Sequence, residues 1–294
     1  MASDRAIRPA QGPSKGFIIA GPASGVGKTT VALSLMAALR RRGLTIQPFK
    51  CGPDFIDGGH YARVCGRTSR NLDGWMVSAD ANREIFCRSA AGAALCVVEG
   101  MMGLFDGADG KSEAGSTAEI AKWLRLPVIL VVDASSIARS AAALVHGFET
   151  FDPALKLAGV IFNRVGGPAH YRMLKDALTT SANAVSLGYL PRDERIHIPE
   201  RYLGLFTAGE NLLPDSVFRS WVSWRKAVLI WTNFWNALPP FPPRPRMLRL
   251  TMLRVRWSTR YASASHAINL SVFTMKIIWT GCERPVRKSS SSVL

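Results

Sequence analysis

Along the first 210 residues, short apolar runs alternate with stretches of helical period. Residues 16–20, 45–49, 94–98, 128–132, 157–162 and 184–190 are near-continuous apolar runs and predict strands. Residues 29–42, 80–91, 116–124, 138–148 and 168–178 carry the three-to-four spacing of helices packed by one face. Strands apolar on both faces belong in a parallel sheet covered by helices on each side. The alternation therefore predicts an α/β fold, a doubly wound and mostly parallel sheet over residues 15–215. Residues 1–14 read as a disordered lead. Residues 216–294 show no clean period and contain a proline cluster at 239–245, so they predict an irregular, disordered or non-native tail.

Charge sharpens that division. The chain of 294 residues has 37 Lys+Arg against 21 Asp+Glu, a net +16. Residues 209–294 hold 13 of the bases and three of the acids, Glu210, Asp215 and Glu283. The first 208 residues are therefore only +6, while the tail is +10 and carries six of the eight tryptophans. A basic protein ordinarily suggests a nucleic-acid or anionic-membrane partner, but here the excess sits outside the patterned region. Five cysteines without a C-x-x-C pair suggest reduced thiols rather than disulfides or zinc. No apolar signal core opens the chain, and the apolar runs 227–231 and 267–273 are too short to span a bilayer. The expectation is a cytoplasmic protein with no membrane partner.

In doubly wound sheets ligands bind beyond the carboxyl ends of the strands, and the chemistry-bearing motifs fall there. After the first strand comes Gly21-Pro22-Ala23-Ser24-Gly25-Val26-Gly27-Lys28-Thr29-Thr30, opening a helix. Small residues there let backbone N–H groups converge on phosphate oxygens. Lys28 would reach the β- and γ-phosphates, and the Thr29 hydroxyl would bind Mg²⁺. Gly21 and Gly27 are separated by five residues rather than the usual four. After the second strand, Lys50, Asp54 and Asp57 lie on a Gly/Pro-shaped loop suited to Mg²⁺ and phosphate, although Gly-Pro-Asp is also ordinary turn chemistry. His60 reads as a hydrogen-bonding loop residue rather than a metal ligand.

Glu99 ends the third long strand, where an acid is costly to bury without a partner. A metal ion supplies one, so Glu99 is a Mg²⁺ ligand candidate, the alternative being a salt-bridged strand-end acid. Asp106 follows on a glycine-rich stretch that lets backbone approach a ligand. Asp133 closes the next strand, and Arg139 beyond it can clamp a phosphate or carboxylate or simply be a solvated helix-start arginine. Asn163 offers an amide to a base edge or forms a turn. Glu200 and Arg201 carry little on chemistry alone.

Together these segments resemble the ATP-binding half of the cobyrinic acid a,c-diamide synthase family, relatives of cobyric acid synthase and dethiobiotin synthetase. The stretches that carry the resemblance are GPASGVGKTT (21–30), FKCGPDFID (49–57), RNLDGWM (70–76), VEGMMGLFDG (98–107) and GSTAEIAKWLRLPVILVVDASSIARSAAALVHGF (115–148). GVIFNRVGGPAHYRML (159–174), GYLPRDERIHIPERYLGL (188–205) and TAGENLLPD (207–215) continue it. Gly58, Tyr202 and Cys51 depart from the family's usual Pro, His and small aliphatic residue.

The resemblance implies a P-loop NTPase-like, dethiobiotin synthetase-like fold. It also implies ATP- and Mg²⁺-dependent amidation of the a- and c-carboxylates of cobyrinic or hydrogenobyrinic acid through acyl phosphates. Nitrogen comes as ammonia, from glutamine in the intact family. By resemblance, Gly21, Ser24, Gly25, Val26, Gly27, Lys28, Thr29 and Thr30 bind the nucleotide phosphates and Asn163 its adenine. Lys28 and Lys50 offset phosphate charge, while Thr29, Asp54 and Glu99 hold Mg²⁺. Asp57 and Asp106 steer the substrate or the second amidation, and Arg139 contacts substrate. The family's active site near a dimer interface implies a homodimer by analogy.

Nickel-sirohydrochlorin diamidation uses similar motifs and stays open within the class. A P-loop switch or nucleic-acid-binding ATPase, with the basic tail as its arm, is the reading from another class. Ala23 stands where partition and cell-division ATPases carry a lysine, which argues against it. The family's glutaminase domain, with its Cys nucleophile and downstream His, is not recognisable in 216–294, where Cys282 has no later His. Likeness stops near Asp215 just as acids vanish, which suggests a shifted reading frame; the competing reading is a functional nucleic-acid- or membrane-binding tail.

Overall fold

The computed structural model describes residues 15–54, 56–192, 200–201, 204–205 and 228–229, together with residues 233, 234, 236 and 238. The readings made for residues 1–14, Tyr202, Cys282 and nearly all of 216–294 lie outside the described residues. So do the side chains of Glu200 and Arg201. The chain divides into two units, Met1–Arg246 and Met247–Leu294, and all that follows concerns the first.

Seven parallel strands form the sheet: β1 (Lys15–Ala20), β2 (Ile46–Cys51), β3 (Arg70–Leu72), β4 (Leu95–Glu99), β5 (Val128–Asp133), β6 (Leu157–Val165) and β7 (Val185–Pro191). A pair β8 (Glu200–Arg201) and β9 (Gly204–Leu205) is antiparallel, and β10 (Val228–Leu229) adds antiparallel to β7. The order β10-β7-β6-β5-β1-β4-β2-β3 puts β1 at the centre, with the chain winding to both sides of it. Helix α1 (Lys28–Arg41) and α2 (Ile56–Cys65) cover one face. Helices α3 (Ala79–Ser89), α4 (Thr117–Leu124), α5 (Ser140–Phe151) and α6 (Pro168–Ser181) cover the other.

Each face has its own core because side chains alternate along every strand. Phe17 and Ile19 of β1 meet Val31, Leu35 and Leu39 of α1, whereas Ile18 and Ala20 meet the α3–α6 layer. In β4 the same alternation sends Val98 to the second layer and Glu99 to the first. Helix α4 starts where Ser116 accepts a hydrogen bond from Glu119 N, 3.1 Å, and it stops at left-handed Arg125.

Two elements depart from the sequence reading. Residues 56–65 form α2 rather than loop, so His60 is a buried helical residue. Gly58 and Gly59 hide its period, and Asp54 Oδ1 starts it by accepting from Ile56 N (2.8 Å) and Asp57 N (3.2 Å). Strand β3 is only three residues long and buries just Leu72, too little for an apolar run to register. The tail also contributes to this domain. Phe234 and Leu238 are buried in the α1 layer, with the Phe234 ring edge-on to Phe17 at 5.4 Å.

Candidate nucleotide site

The carboxyl ends of β1, β2, β4 and β6 bring the predicted residues to one rim. The loop 21–27 leaves β1 and enters α1 through Gly25 and Gly27, at φ +78° and +92°. A side chain at Gly27 would also place Cβ 2.2 Å from Asn163 Nδ2, so two constraints demand glycine there. Asn163 is buried at the end of β6, and its Nδ2 donates to Val26 O at 2.9 Å. Since Val26 O can only accept, the amide nitrogen faces the loop, leaving Oδ1 as its remaining acceptor.

Lys28 is buried at the first turn of α1. Its ammonium donates to Ala23 O (2.8 Å) and to Met102 O (2.5 Å), so it bridges the loop after β1 and the loop after β4. Burial is the main cause that holds its pKa below the ordinary lysine value, and neighbouring Lys50 adds to it. Met102 takes φ +45°, a left-handed conformation unusual for its residue type, at the point where its carbonyl meets Lys28.

Next to Lys28, Thr29 Oγ1 donates to Glu99 Oε1 at 2.8 Å, and Lys50 Nζ donates to the same oxygen at 3.1 Å. The parallel pairing of β2 with β4 sets Lys50 directly beside Glu99. Lys50 also pairs with Asp57 Oδ2 at 2.9 Å and lies 3.9 Å from Asp54 Oδ2. The side chains of Lys50, Asp57 and Glu99 are 7%, 7% and 1% exposed, so these are interior charges. Burial opposes the charge on Lys50, but the Glu99 and Asp57 carboxylates more than offset it and hold the ammonium protonated. Burial, then the Glu99 charge, push the Asp57 carboxyl up to about 7.

Lys50 thus faces three carboxylates, and the cluster retains an excess of acid. Glu99 Oε2 is buried and has no hydrogen-bond partner among the described residues. A buried carboxylate oxygen without a partner fits a cation, and Thr29 Oγ1 sits beside the same carboxylate. Asp54 stands apart, because its Oδ1 starts α2 and its side chain is 38% exposed. Among the described residues no three His, Cys, Asp or Glu side chains form a metal cage by themselves. Two protein oxygens suffice for Mg²⁺ when phosphates and water complete its shell, so the residues fit that ion with Thr29 and Glu99 as holders.

The remaining predicted residues are more open. Asp106 is exposed, and its Oδ2 accepts from Gly103 N at 2.8 Å, which shapes the loop after β4. Arg139 is exposed just before α5. Ser24 and Gly25 are exposed at the crest of the phosphate loop, while Gly21 and Val26 are buried beneath it. Residue-level reading missed three supports. Met102 contributes a carbonyl, Thr117 ties Met101 through both N (3.1 Å) and O (3.2 Å), and Asn71 bonds Gly52 O (2.7 Å) and Asp54 O (2.6 Å). All three lie inside stretches that carry the resemblance, Asn71 in 70–76, Met102 in 98–107 and Thr117 in 115–148, but no local chemistry singles them out.

Comparison with known proteins gives the family of the domain that carries these residues. Residues 17–205 match the family model described as the CobQ/CobB/MinD/ParA nucleotide binding domain. Cobyrinate a,c-diamide synthase of Salmonella typhimurium is 48% identical over 197 residues, 67% of this chain and 43% of that protein. Hydrogenobyrinate a,c-diamide synthase of Streptomyces coelicolor is 49% identical over 195 residues, 66% of this chain and 40% of that protein. The chain therefore spans less than half the length of these relatives. A solved structure of chloroplast FtsY from Physcomitrella patens superposes with a TM-score of 0.45 at 15% identity, covering 65% of this chain and 63% of that one. A match across residues 17–205, over the sheet that carries the phosphate loop, places this chain in the CobQ/CobB/MinD/ParA nucleotide binding domain family.

Proposed function

We propose that the chain uses ATP to activate carboxylates of a corrinoid acid, cobyrinic or hydrogenobyrinic acid, for amidation. The observation that supports this most is the Thr29–Glu99–Lys50 chain of contacts, which joins the phosphate loop to a buried carboxylate cluster. A substrate carboxylate oxygen attacks the γ-phosphorus, the bond to the β-phosphate oxygen breaks, and ADP leaves. Ammonia then attacks the acyl carbon, loses a proton and expels inorganic phosphate. Such chemistry needs positioning and charge neutralisation rather than a protein nucleophile.

Lys28 leaves the Ala23 and Met102 carbonyls for phosphate oxygens, and the N–H groups of 24–30 orient the chain of phosphates. Thr29 and Glu99 hold Mg²⁺, which when bound neutralises charge on the β- and γ-phosphates. Lys50 holds Glu99 in place, and offsets charge near the phosphates only through that contact. Asp54 helps from the edge of the metal site. Asp57 and Asp106 steer the substrate or the second amidation, Arg139 offers the substrate a guanidinium, and Asn163 reads adenine through Oδ1. The active form is a homodimer. Cys51, Cys65 and Cys96 are free and buried, and burial pushes each thiol up to about 12, which suits a reducing cytoplasm. Among the described residues no helix is long and apolar enough to cross a membrane.

ADP release by the full chain, with cobyrinic acid and ammonium, tests the reaction. Stimulation by the corrinoid is expected, and stimulation by DNA alone would overturn the reading. The composition of 216–294 supports a shifted frame for that segment. Sequencing the gene across codons 205–294 and translating its other frames is expected to reveal a Cys…His glutaminase pattern in one of them. Its absence from every frame would refute the shift.

A further inference from the structure

The loop after β3 leaves large apolar side chains in water. Trp75 is 73% exposed and Met76 69%, with Val77 beside them. Adjacent exposed apolar side chains of this size mark a contact surface when the backbone beneath them is fixed. Here it is fixed. Asp73 Oδ1 accepts from both Trp75 N and Met76 N at 2.8 Å. Asn82, completely buried at the start of α3, donates to Asp73 O (2.9 Å), Ser78 O (3.1 Å) and Val77 O (3.2 Å). It also accepts from Asp73 N at 2.9 Å. A buried amide with both ends engaged thus holds the turn that presents the indole and the thioether.

This turn belongs to the same rim as the nucleotide site. Asn71, two residues before Asp73, bonds the carbonyls of Gly52 and Asp54. Gly52 in turn lies against Met101 on the loop after β4, where a Cβ would come within 2.4 Å of Met101 Sδ. The loops after β2, β3 and β4 are therefore one connected edge, with carboxylates and the Met102 carbonyl that meets Lys28 on one part and Trp75 and Met76 on the next. A substrate whose carboxylates are activated at the polar part must rest the remainder of its body on what adjoins it.

We infer that Trp75 and Met76 form the platform for the flat, apolar face of a carboxylate-rimmed macrocycle. The inference rests on the amidation reading, since it assigns that substrate's body to this turn. The indole stacks on the ring face and the flexible Met76 side chain fills against its edge. Both residues act in binding, not in the chemical step.

The test uses the full 294-residue chain and cobyrinic acid as probe, with corrinoid binding followed by equilibrium dialysis and ATP binding measured in parallel. Trp75→Ala is expected to weaken cobyrinic acid about tenfold, the scale of losing one aromatic stacking partner. Met76→Ala should weaken it less, Trp75→Phe should restore most of the loss, and ATP affinity should stay unchanged. If Trp75→Ala binds cobyrinic acid as well as the unaltered chain, the platform is refuted while the amidation reading stands. If the unaltered chain binds ATP but no cobyrinic acid, the substrate assignment falls and the platform falls with it.

Discussion

The two sides of β1 treat polar groups in opposite ways. On the β4–β2 side, Lys28, Lys50, Asp57 and Glu99 are buried and bound to one another or to loop carbonyls from distant parts of the chain. On the β5–β6 side, Asp133 and Arg164 pair at the surface, and Asp133 also accepts from Ser135 N at 2.9 Å. Interior charges are costly, and an ion pair returns only part of the desolvation penalty. Strand-end acids at the surface carry no such penalty and serve as local turn anchors. The difference is what favours the β4–β2 side in the proposed reading, while β6 contributes one amide that braces the loop after β1.

Four substitutions sharpen or break that contrast. Lys28→Ala should have the largest effect, lowering ATP turnover by about a thousandfold, because a preorganised cation facing the phosphates is removed. Single-turnover ADP release measures it, and a loss under tenfold would undo the role given to this lysine. Glu99→Gln should lower turnover by about a hundredfold and raise the Mg²⁺ concentration needed for half-maximal rate. Unchanged Mg²⁺ dependence would remove Glu99 from the metal site.

Asp57 makes a prediction with a definite sign. Its carboxyl titrates near 7 in the folded chain, against an ordinary value of 3.8. Between these values the folded state holds a proton that the unfolded state has released, so this group lowers stability as pH rises from about 4 to about 7. Asp57→Asn abolishes that contribution. The melting temperature of the variant relative to the parent should therefore climb over this window and level off above it. A constant difference would contradict the buried, acid-facing environment of Asp57.

The smallest effect belongs to the other side of β1. Hydrogen bonds from Ser135 and Arg164 outweigh partial burial and hold the Asp133 carboxyl below its ordinary value. The Arg164 pair is nevertheless solvent-screened, and Asp133→Asn should cost about 1 kcal/mol or less by chemical denaturation. Turnover should not change.

The parts of this site that are legible in sequence are those whose chemistry is local. The phosphate loop shows itself through glycine spacing between an apolar run and a helix, and Glu99 through its place at the end of a buried strand. The parts that are not legible depend on partners far along the chain. Nothing near Asn82 announces that it fastens residues 73–78, and nothing near Asn163 says that its amide will meet Val26 across 137 positions. Helix α2 was hidden for another reason, since a pair of glycines weakens its period and its start depends on the Asp54 side chain. Lys50 was legible as a site residue, but its orientation toward carboxylates follows from the pairing of β2 with β4.

The central claim is that a substrate carboxylate takes the γ-phosphate of ATP. Cobyrinic acid labelled with ¹⁸O in its carboxylates, incubated with the full chain, ATP, Mg²⁺ and ammonium, tests it through the mass of the inorganic phosphate released. Transfer of one ¹⁸O atom into phosphate for each amide formed is the predicted result. Phosphate released without ¹⁸O would contradict the account.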